Sequence, residues 1–258
     1  MGFQCKHISQ TYRLRRGELV ALQDLNISVN EQEFVCIVGP SGCGKTTLLK
    51  IIAGLFLPTT GQVVFTDAPE TGHPRSAMVF QDLGLFPWMS IRENVAFGLE
   101  TRGVNRKQRL ATADELLEKA GLGEFKNSYP HQLSGGMRQR VAILRAFLTD
   151  PQTLLMDEPF GSLDSQTRLV MQEELLRIWK EHRKTVMYVT HDIEEAIYLG
   201  DRVLVMSGRP GSIQADIPIN IPRPRQTADR DRPEVEAIRW RIWKMIESEV
   251  RQELGVQS

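Results

Sequence analysis

The stretch "GPSGCGKTT", Gly39 to Thr47, follows the apolar run "EFVCIV" and precedes "LLKIIAGLF". A hydrophobic run that ends in glycines and leads into an apolar-periodic segment reads as strand, tight turn and helix. The backbone N–H groups of such a turn point at one place, which suits an anion. Gly39, Gly44, Lys45 and Thr46 match G-x-x-x-x-G-K-[ST]. In that spacing the glycines let the backbone wrap phosphates, the lysine reaches the terminal ones and the hydroxyl meets Mg²⁺. Ser41, Gly42, Cys43 and Thr47 complete the loop. A glycine-rich turn without a ligand is the plain alternative, and the strand and helix on either side weigh against it.

Outward from this loop, residues 3 to 38 alternate apolar and polar positions between turn signals and read as strands. "PTTGQVVFTD" is hairpin-like and "AMVFQD" a further short apolar run. From about Leu83 to about Asp150 the composition changes, and "RKQRLATADELLEKAGL" carries apolar residues at helical spacing, so a helical insertion is expected. "TLLMDEP" and "TVMYVTHD" then end in acidic or polar residues and flank the helical "SQTRLVMQEELLRIWKEHR". That alternation predicts a parallel sheet in an α/β core. Ligands of such sheets sit outside the carboxyl ends of the strands, where Gly39, Asp157, Glu158 and His191 fall. The Pro-, Arg- and Asp-rich "IPINIPRPRQTADRDRP" reads as a linker. Beyond it, Val235, Ile238, Ile242, Ile246, Val250 and Leu254 form one apolar stripe of a final helix, set to pack on the domain or on a partner.

With 258 residues the chain can bury a large core, as one large domain or as a domain with an embedded subdomain. Lys+Arg and Asp+Glu are both 32, so no basic surplus argues for nucleic acid. No apolar run approaches the roughly 20 residues that span a bilayer, and the start "MGFQCKHISQ" has no charged stretch followed by an apolar one. A protein that is neither secreted nor membrane-spanning is expected, with any membrane contact made through another protein. Cys5, Cys36 and Cys43 form no C-x-x-C pair, which fits a reducing compartment and gives no zinc site.

"LSGGMRQRVAILRAF" supplies a second phosphate-binding candidate. Ser134, a favoured N-cap residue, and Gly135 and Gly136 open a strongly helical run, and a helix N-terminus accepts an anion. Taken alone, Ser-Gly-Gly is an ordinary capped helix. With its neighbours counted, the chain resembles the nucleotide-binding subunit of an ATP-binding cassette (ABC) transporter over roughly residues 3 to 215. The resemblance rests on a Walker A loop at Gly39 to Thr46, a glutamine loop at Gln81 in "VFQD", the signature "LSGGMRQR" and Walker B "LLMDE" ending at Asp157 and Glu158. "SLD" at Ser162 to Asp164 and His191 in "VTHD" complete it, all in the order of the family. It implies a P-loop NTPase core with an N-terminal antiparallel β-subdomain and a helical subdomain inserted at about 83–150, followed by a linker and amphipathic helix over 216–258.

The resemblance also implies roles, each with a chemical reason. Phosphoryl transfer leaves a protein mainly positioning and charge to supply. Lys45, Mg²⁺ and the second N–H clamp at Ser134, Gly135 and Gly136 answer that need. Thr46 is expected to ligate Mg²⁺ directly and Asp157 to hold it through water, because Mg²⁺ keeps several waters. Glu158 is the candidate base or orienter for the attacking water. His191 resembles the switch histidine at the γ-phosphate, Gln81 is expected to sense Mg²⁺ or the attacking water, and Asp164 belongs to the nucleotide-binding set. Tyr12 lies where the family stacks an aromatic ring on adenine, against the alternative of a plain strand tyrosine. Ser162 in place of alanine, and Thr46-Thr47 in place of Ser-Thr, leave hydrolysis intact.

In that family the signature of one subunit closes over nucleotide held by the Walker A loop of another. A head-to-tail dimer with itself or a related ATPase subunit, binding two ATP, is therefore implied. "LGLFPWMSIRENVAFGL" resembles the segment that receives the membrane-spanning permease, with Phe86, Pro87 and Trp88 in the groove or, alternatively, in the core of the insertion. Importers of nitrate, sulfonate, taurine and bicarbonate are the members most similar, through "FPWMSIRENV" and the C-terminal tail. They imply a peripheral protein on the cytoplasmic face of a bacterial inner membrane, served indirectly by an extracytoplasmic solute-binding protein. An exporter ATPase and a non-transport ABC ATPase are the alternative readings.

Overall fold

The computed structural model describes residues 2–15, 17–67 and 73–253. In chain order the first half runs β1 (Phe3–Arg13), β2 (Glu18–Val29), β3 (Phe34–Val38), α1 (Lys45–Ile52), β4 (Thr60–Phe65), β5 (Ser76–Val79), α2 (Ile91–Thr101) and α3 (Arg106–Lys119). The second half runs α4 (Gly135–Leu148), β6 (Thr153–Asp157), α5 (Ser165–His182), β7 (Thr185–Val189), α6 (Ile193–Leu199), β8 (Arg202–Met206), β9 (Ile213–Pro218) and α7 (Pro233–Glu253). The chain divides into two compact units, Met1–Asp67 with Thr185–Ser258, and Ala68–Lys184.

The first unit contains a three-stranded antiparallel sheet in the order β2-β1-β4. Alternation is the cause: Phe3, Cys5, Ala21, Leu25, Ile27 and Val29 are buried while their polar neighbours face water. The pairing Phe3↔Val29 and Cys5↔Ile27 slips after Cys5. His7 and Asp24 there take left-handed φ of 52° and 48°, and His7 Nδ1 lies 2.7 Å from Asp24 Oδ1. Gly61 is required opposite this bulge, since a Cβ would stand 2.3 Å from the His7 carbonyl oxygen. "PTTGQVVFTD", expected as a hairpin, supplies instead the single strand β4, paired to the distant β1.

The same unit carries β7-β3-β8-β9, in which β7, β3 and β8 are parallel and β9 is antiparallel to β8. All five residues of β3 and of β7 are buried, as continuous apolar runs require when both faces of a parallel strand are covered. Helix α6 packs on β3 and β8, and α7 packs on α6 and β8. The α7 stripe is therefore core at Val235, Ile242 and Ile246, which are buried, with Ile238 half-buried. The side chain of Val250 and all of Leu254 lie outside the described residues. The Pro- and Arg-rich stretch expected as a linker is packed rather than loose: Ile219, Ile221 and Arg225 are buried. Arg225 donates to the carbonyls of Ile197, Tyr198 and Gly200 at 2.8, 2.9 and 2.6 Å, and burial lowers its pKa to about 10.

In the second unit β5 and β6 pair in parallel, Met78 opposite Leu155. Helices α2, α3 and α4 pack on one another, and α4 also packs on α5 and β5. Helix α2 starts at a capping box: Ser90 Oγ accepts from Glu93 N, and Glu93 Oε2 accepts from Ser90 N at 3.0 Å. The Ser90 hydroxyl holds the Glu93 carboxyl below its ordinary range. Gly98 lets α2 approach the end of α4, where a Cβ would stand 2.1 Å from Thr149 Cγ2.

Candidate active site

The loop from Gly39 to Gly44 joins the buried end of β3 to the first residue of α1. Two of its glycines are conformationally obligatory. Gly44 caps α1 with φ 106°, and a Cβ there would meet Leu22 Cδ2 at 2.5 Å; Gly42 has φ 75°. At Gly39 a Cβ would lie 2.9 Å from the Met206 carbonyl oxygen. The first turn of α1 carries no acidic residue, so nothing on the helix neutralises its positive end.

Lys45 is 6 % exposed, and its ammonium is folded into the loop. Nζ donates to the carbonyl oxygens of Gly39 and Pro40, both at 2.8 Å, and lies 3.7 Å from Cys43 Sγ. The Cys43 thiol is buried, and burial raises its pKa against the opposing pull of Lys45. Ser41 and Thr46 are exposed. The Tyr12 hydroxyl lies 3.3 Å from Thr47 Oγ1, so this half-buried ring stands beside the loop.

His191 leaves the carboxyl end of β7, next to β3 in the sheet with Val189 opposite Ile37. Its turn is braced from behind. Thr190 Oγ1 donates to the Glu195 carboxylate and accepts from Asp192 N at 3.0 Å, while Asp192 caps α6 by accepting from Glu195 N at 3.1 Å. His191 is exposed on this turn and, with Arg239, Trp240 and Trp243 of α7, lines a cavity of about 620 Å³. The sequence pattern gave no sign of that neighbourhood, because the two segments are distant in the chain.

In the second unit Gln81, exposed, follows the end of β5, and Asp157 closes the neighbouring β6 just before Glu158, with Val79 opposite Met156. Asp157 is 5 % exposed. Glu158 sits at φ 45°, a left-handed conformation that a side chain makes costly, and its carbonyl accepts from Gly161 N at 3.1 Å. Backbone strain of this kind clusters at functional turns, and residue type alone does not reveal it. Ser134 caps α4 by accepting from Met137 N at 3.3 Å, leaving Gly135 exposed and Gly136 close to Thr167, whose Cγ2 would be 3.0 Å from a Cβ. Asp164 caps α5 by accepting from Thr167 N at 3.0 Å, and that N–H holds its carboxyl below the usual range. Its side chain is thus engaged in the fold of its own loop.

Phe86 is half-buried against Phe97, ring centroids 4.6 Å apart, and Asn94 clasps its backbone at 2.8 and 3.0 Å. Arg145 anchors the preceding turn through the carbonyls of Leu83 and Gly84, both at 2.8 Å. Pro87 and Trp88, the latter 71 % exposed, face water. Phe86 is therefore partly packed into the helical unit, and Trp88 with Pro87 is surface.

The residues fit a polyphosphate: a glycine cradle that any Cβ would obstruct, a buried ammonium at its centre and an unneutralised helix N-terminus. The Thr46 hydroxyl in the first unit and the buried Asp157 carboxylate in the second are each, taken separately, of the hard-oxygen kind that Mg²⁺ takes.

The model of the ABC transporter family matches residues 22–161. The nitrate import ATP-binding protein NrtD of Synechocystis sp. is 46 % identical over 228 residues, covering 88 % of this chain and 86 % of its own. The taurine import ATP-binding protein TauB of Roseobacter denitrificans is 45 % identical over 217 residues, covering 83 % and 81 %. Among solved structures, the dimeric ABC transporter cassette MJ0796 superposes with a TM-score of 0.73 at 34 % identity, over 85 % of this chain and 99 % of that one. The same cassette in a post-hydrolysis state with ADP and Pi matches equally. The chain belongs to the ABC transporter family, as one of its ATP-binding, ATP-hydrolysing cassettes.

Proposed function

We propose that this chain is the ATP-hydrolysing subunit of an ABC importer that takes up a small anion of the nitrate, sulfonate, taurine or bicarbonate type through a separate permease. The similarity to NrtD and TauB over most of both chains carries this reading. The cassette comprises residues 1–215 with 83–150 as its helical subdomain, and 216–258 are an extension. It works as a head-to-tail dimer with two ATP, on the cytoplasmic face of a bacterial inner membrane. An extracytoplasmic solute-binding protein delivers the anion to the permease. The exposed Pro87 and Trp88 are the apolar surface offered to that permease.

When bound, ATP with Mg²⁺ supplies the phosphoryl group and the counter-charge for its transfer to water. This chain's residues supply position and field. Lys45 and the N–H groups from Gly39 to Thr47, with Ser41, Gly42, Cys43 and Gly44, hold the phosphates, and Tyr12 stacks on the base. Thr46, Asp157 and Gln81 hold the metal, and Glu158 orients the water. His191 acts at the terminal phosphate, while Ser134, Gly135, Gly136 and Asp164 serve the nucleotide of the partner subunit. The strained turn of Glu158 and the braced turn of His191 support these assignments, since both side chains are presented from over-determined backbone.

Uptake of labelled nitrate, bicarbonate, taurine and an alkanesulfonate is to be measured in source cells whose chromosomal copy carries Glu158→Gln. Loss of uptake of one solute is expected. Persistence of all four would overturn the importer reading in favour of export or a non-transport role.

A further inference from the structure

We propose that Arg209, outside every nucleotide motif, is a positioning residue that orients the phosphate-binding loop by gripping the carbonyl of Gly42. The inference rests on the nucleotide reading of that loop. Arg209 stands at the tip of the β8–β9 turn, and its Nη2 and Nε donate to the Gly42 carbonyl oxygen at 2.9 and 3.3 Å. Both donors of one face of the guanidinium fork thus converge on one oxygen, 167 residues away in sequence.

The turn that carries Arg209 is rigid. Ser207 N donates to the Ser212 carbonyl at 2.9 Å, and Ser207 Oγ accepts from Ser212 N at 2.8 Å. The turn is also tied to β2: Gly211 N donates to the Ala21 carbonyl and Gln23 N to the Gly211 carbonyl, both at 3.0 Å. Gly211 passes so close under the phosphate loop that a Cβ would stand 2.0 Å from the Cys43 carbonyl oxygen. The platform beneath the loop is therefore backbone held on both sides.

The consequence follows from peptide geometry. Gly42–Cys43 is trans, so the carbonyl of Gly42 and the N–H of Cys43 point in opposite directions from one plane. Fixing the carbonyl against Arg209 aims the Cys43 N–H into the loop, where its acceptor is the Pro40 carbonyl at a long 3.5 Å. Gly42, at positive φ and without a side chain, leaves the amino side of this peptide free to rotate without such an anchor. Lys45 draws the carbonyls of Gly39 and Pro40 to itself, and Arg209 does the same for Gly42 from outside. Arg209 thus holds the Gly42 carbonyl oxygen on the outer side of the loop, away from the place where it would repel phosphate oxygens.

The test compares the full chain with Arg209→Gln, Arg209→Lys and, as a control on the nucleotide reading, Lys45→Ala. It uses fluorescent-ATP titration, ATPase kinetics and thermal unfolding without nucleotide. Arg209→Gln is expected to weaken ATP binding about tenfold, the scale of a charge-assisted hydrogen bond. KM for ATP should rise with it, kcat at saturating ATP should stay within about twofold, and the nucleotide-free melting temperature should not move. Arg209→Lys should leave most of the loss in place, because an ammonium keeps the charge and not the fork. Unchanged ATP affinity in Arg209→Gln overturns the inference, and so does full rescue by lysine, which would reduce the role to charge. If Lys45→Ala also binds ATP normally, the nucleotide reading falls and takes this inference with it. Weak binding in Lys45→Ala beside normal binding in Arg209→Gln would sink this inference alone.

Discussion

The ammonium of Lys45 donates at 2.8 Å to the carbonyl oxygen of Gly39, six residues back on the other side of the loop. A buried lysine needs such partners, since an unpaired charge in this position would cost several kcal/mol. Under the proposed nucleotide role, this ammonium exchanges the carbonyl contact for phosphate oxygen when the anion binds.

Lys45→Ala is accordingly expected to lower ATP affinity by at least about tenfold, the lower end for a hydrogen bond to a charged group. A fluorescent-ATP titration reads it. Unchanged affinity would remove the phosphate role.

Glu158, proposed to orient the attacking water, has a left-handed backbone. Glu158→Gln should keep ATP binding, lose most turnover and trap a dimer that elutes early on a sizing column with Mg-free ATP. A monomer under those conditions would contradict the head-to-tail model. Glu158→Gly is expected to be equally inactive yet as stable as the wild type or more so, by up to about 1 kcal/mol, because glycine relieves the positive φ. Urea unfolding midpoints of the two variants make the comparison.

Alkaline pH should expose the cost of ionising the core of the antiparallel sheet. Burial raises the Cys5 thiol from 9.0 to about 12. Between those values the unfolded chain has lost a proton that the folded chain retains. Stability is therefore fully present below pH 9 and falls as pH rises toward 12, by up to about 1.4 kcal/mol per pH unit from this group. Urea unfolding at pH 8 and pH 10.5 should show a smaller loss in Cys5→Ala than in the wild type. An identical loss would mean that Cys5 is not held protonated.

Arg225→Met should destabilise the first unit by roughly 3 kcal/mol, since it strands the buried carbonyls of Ile197, Tyr198 and Gly200. Calorimetric unfolding checks the size. An effect under about 0.5 kcal/mol, the range of ordinary surface substitutions, would place the 219–232 stretch among loose linkers after all.

Much of the local backbone of the candidate site was legible because its grammar is local. Gly44 before Lys45 spells a turn that only glycine can make, and Ser134 before Gly135-Gly136 spells a capped helix start, whatever lies elsewhere in the chain. The parallel strands were legible in the same way, from apolar runs such as "FVCIV" that end in polar residues. Other features had no local sign. Glu158 looks like any acidic residue at a strand end, and its positive φ emerges only when Gly161 N bonds back to its carbonyl.

The sequence by itself determined the family, the order of the motifs and the chemistry each residue type can perform, because glycine freedom, helix capping and side-chain charge act within a few residues. Only the tertiary structure decided that Arg209 grips Gly42, that Arg225 pins a supposed linker to α6, and that Trp240 and Trp243 line a cavity with His191. Those pairings join segments tens to more than a hundred residues apart. Their physical cause is the close packing of whole elements, which brings together side chains whose spacing along the chain carries no period.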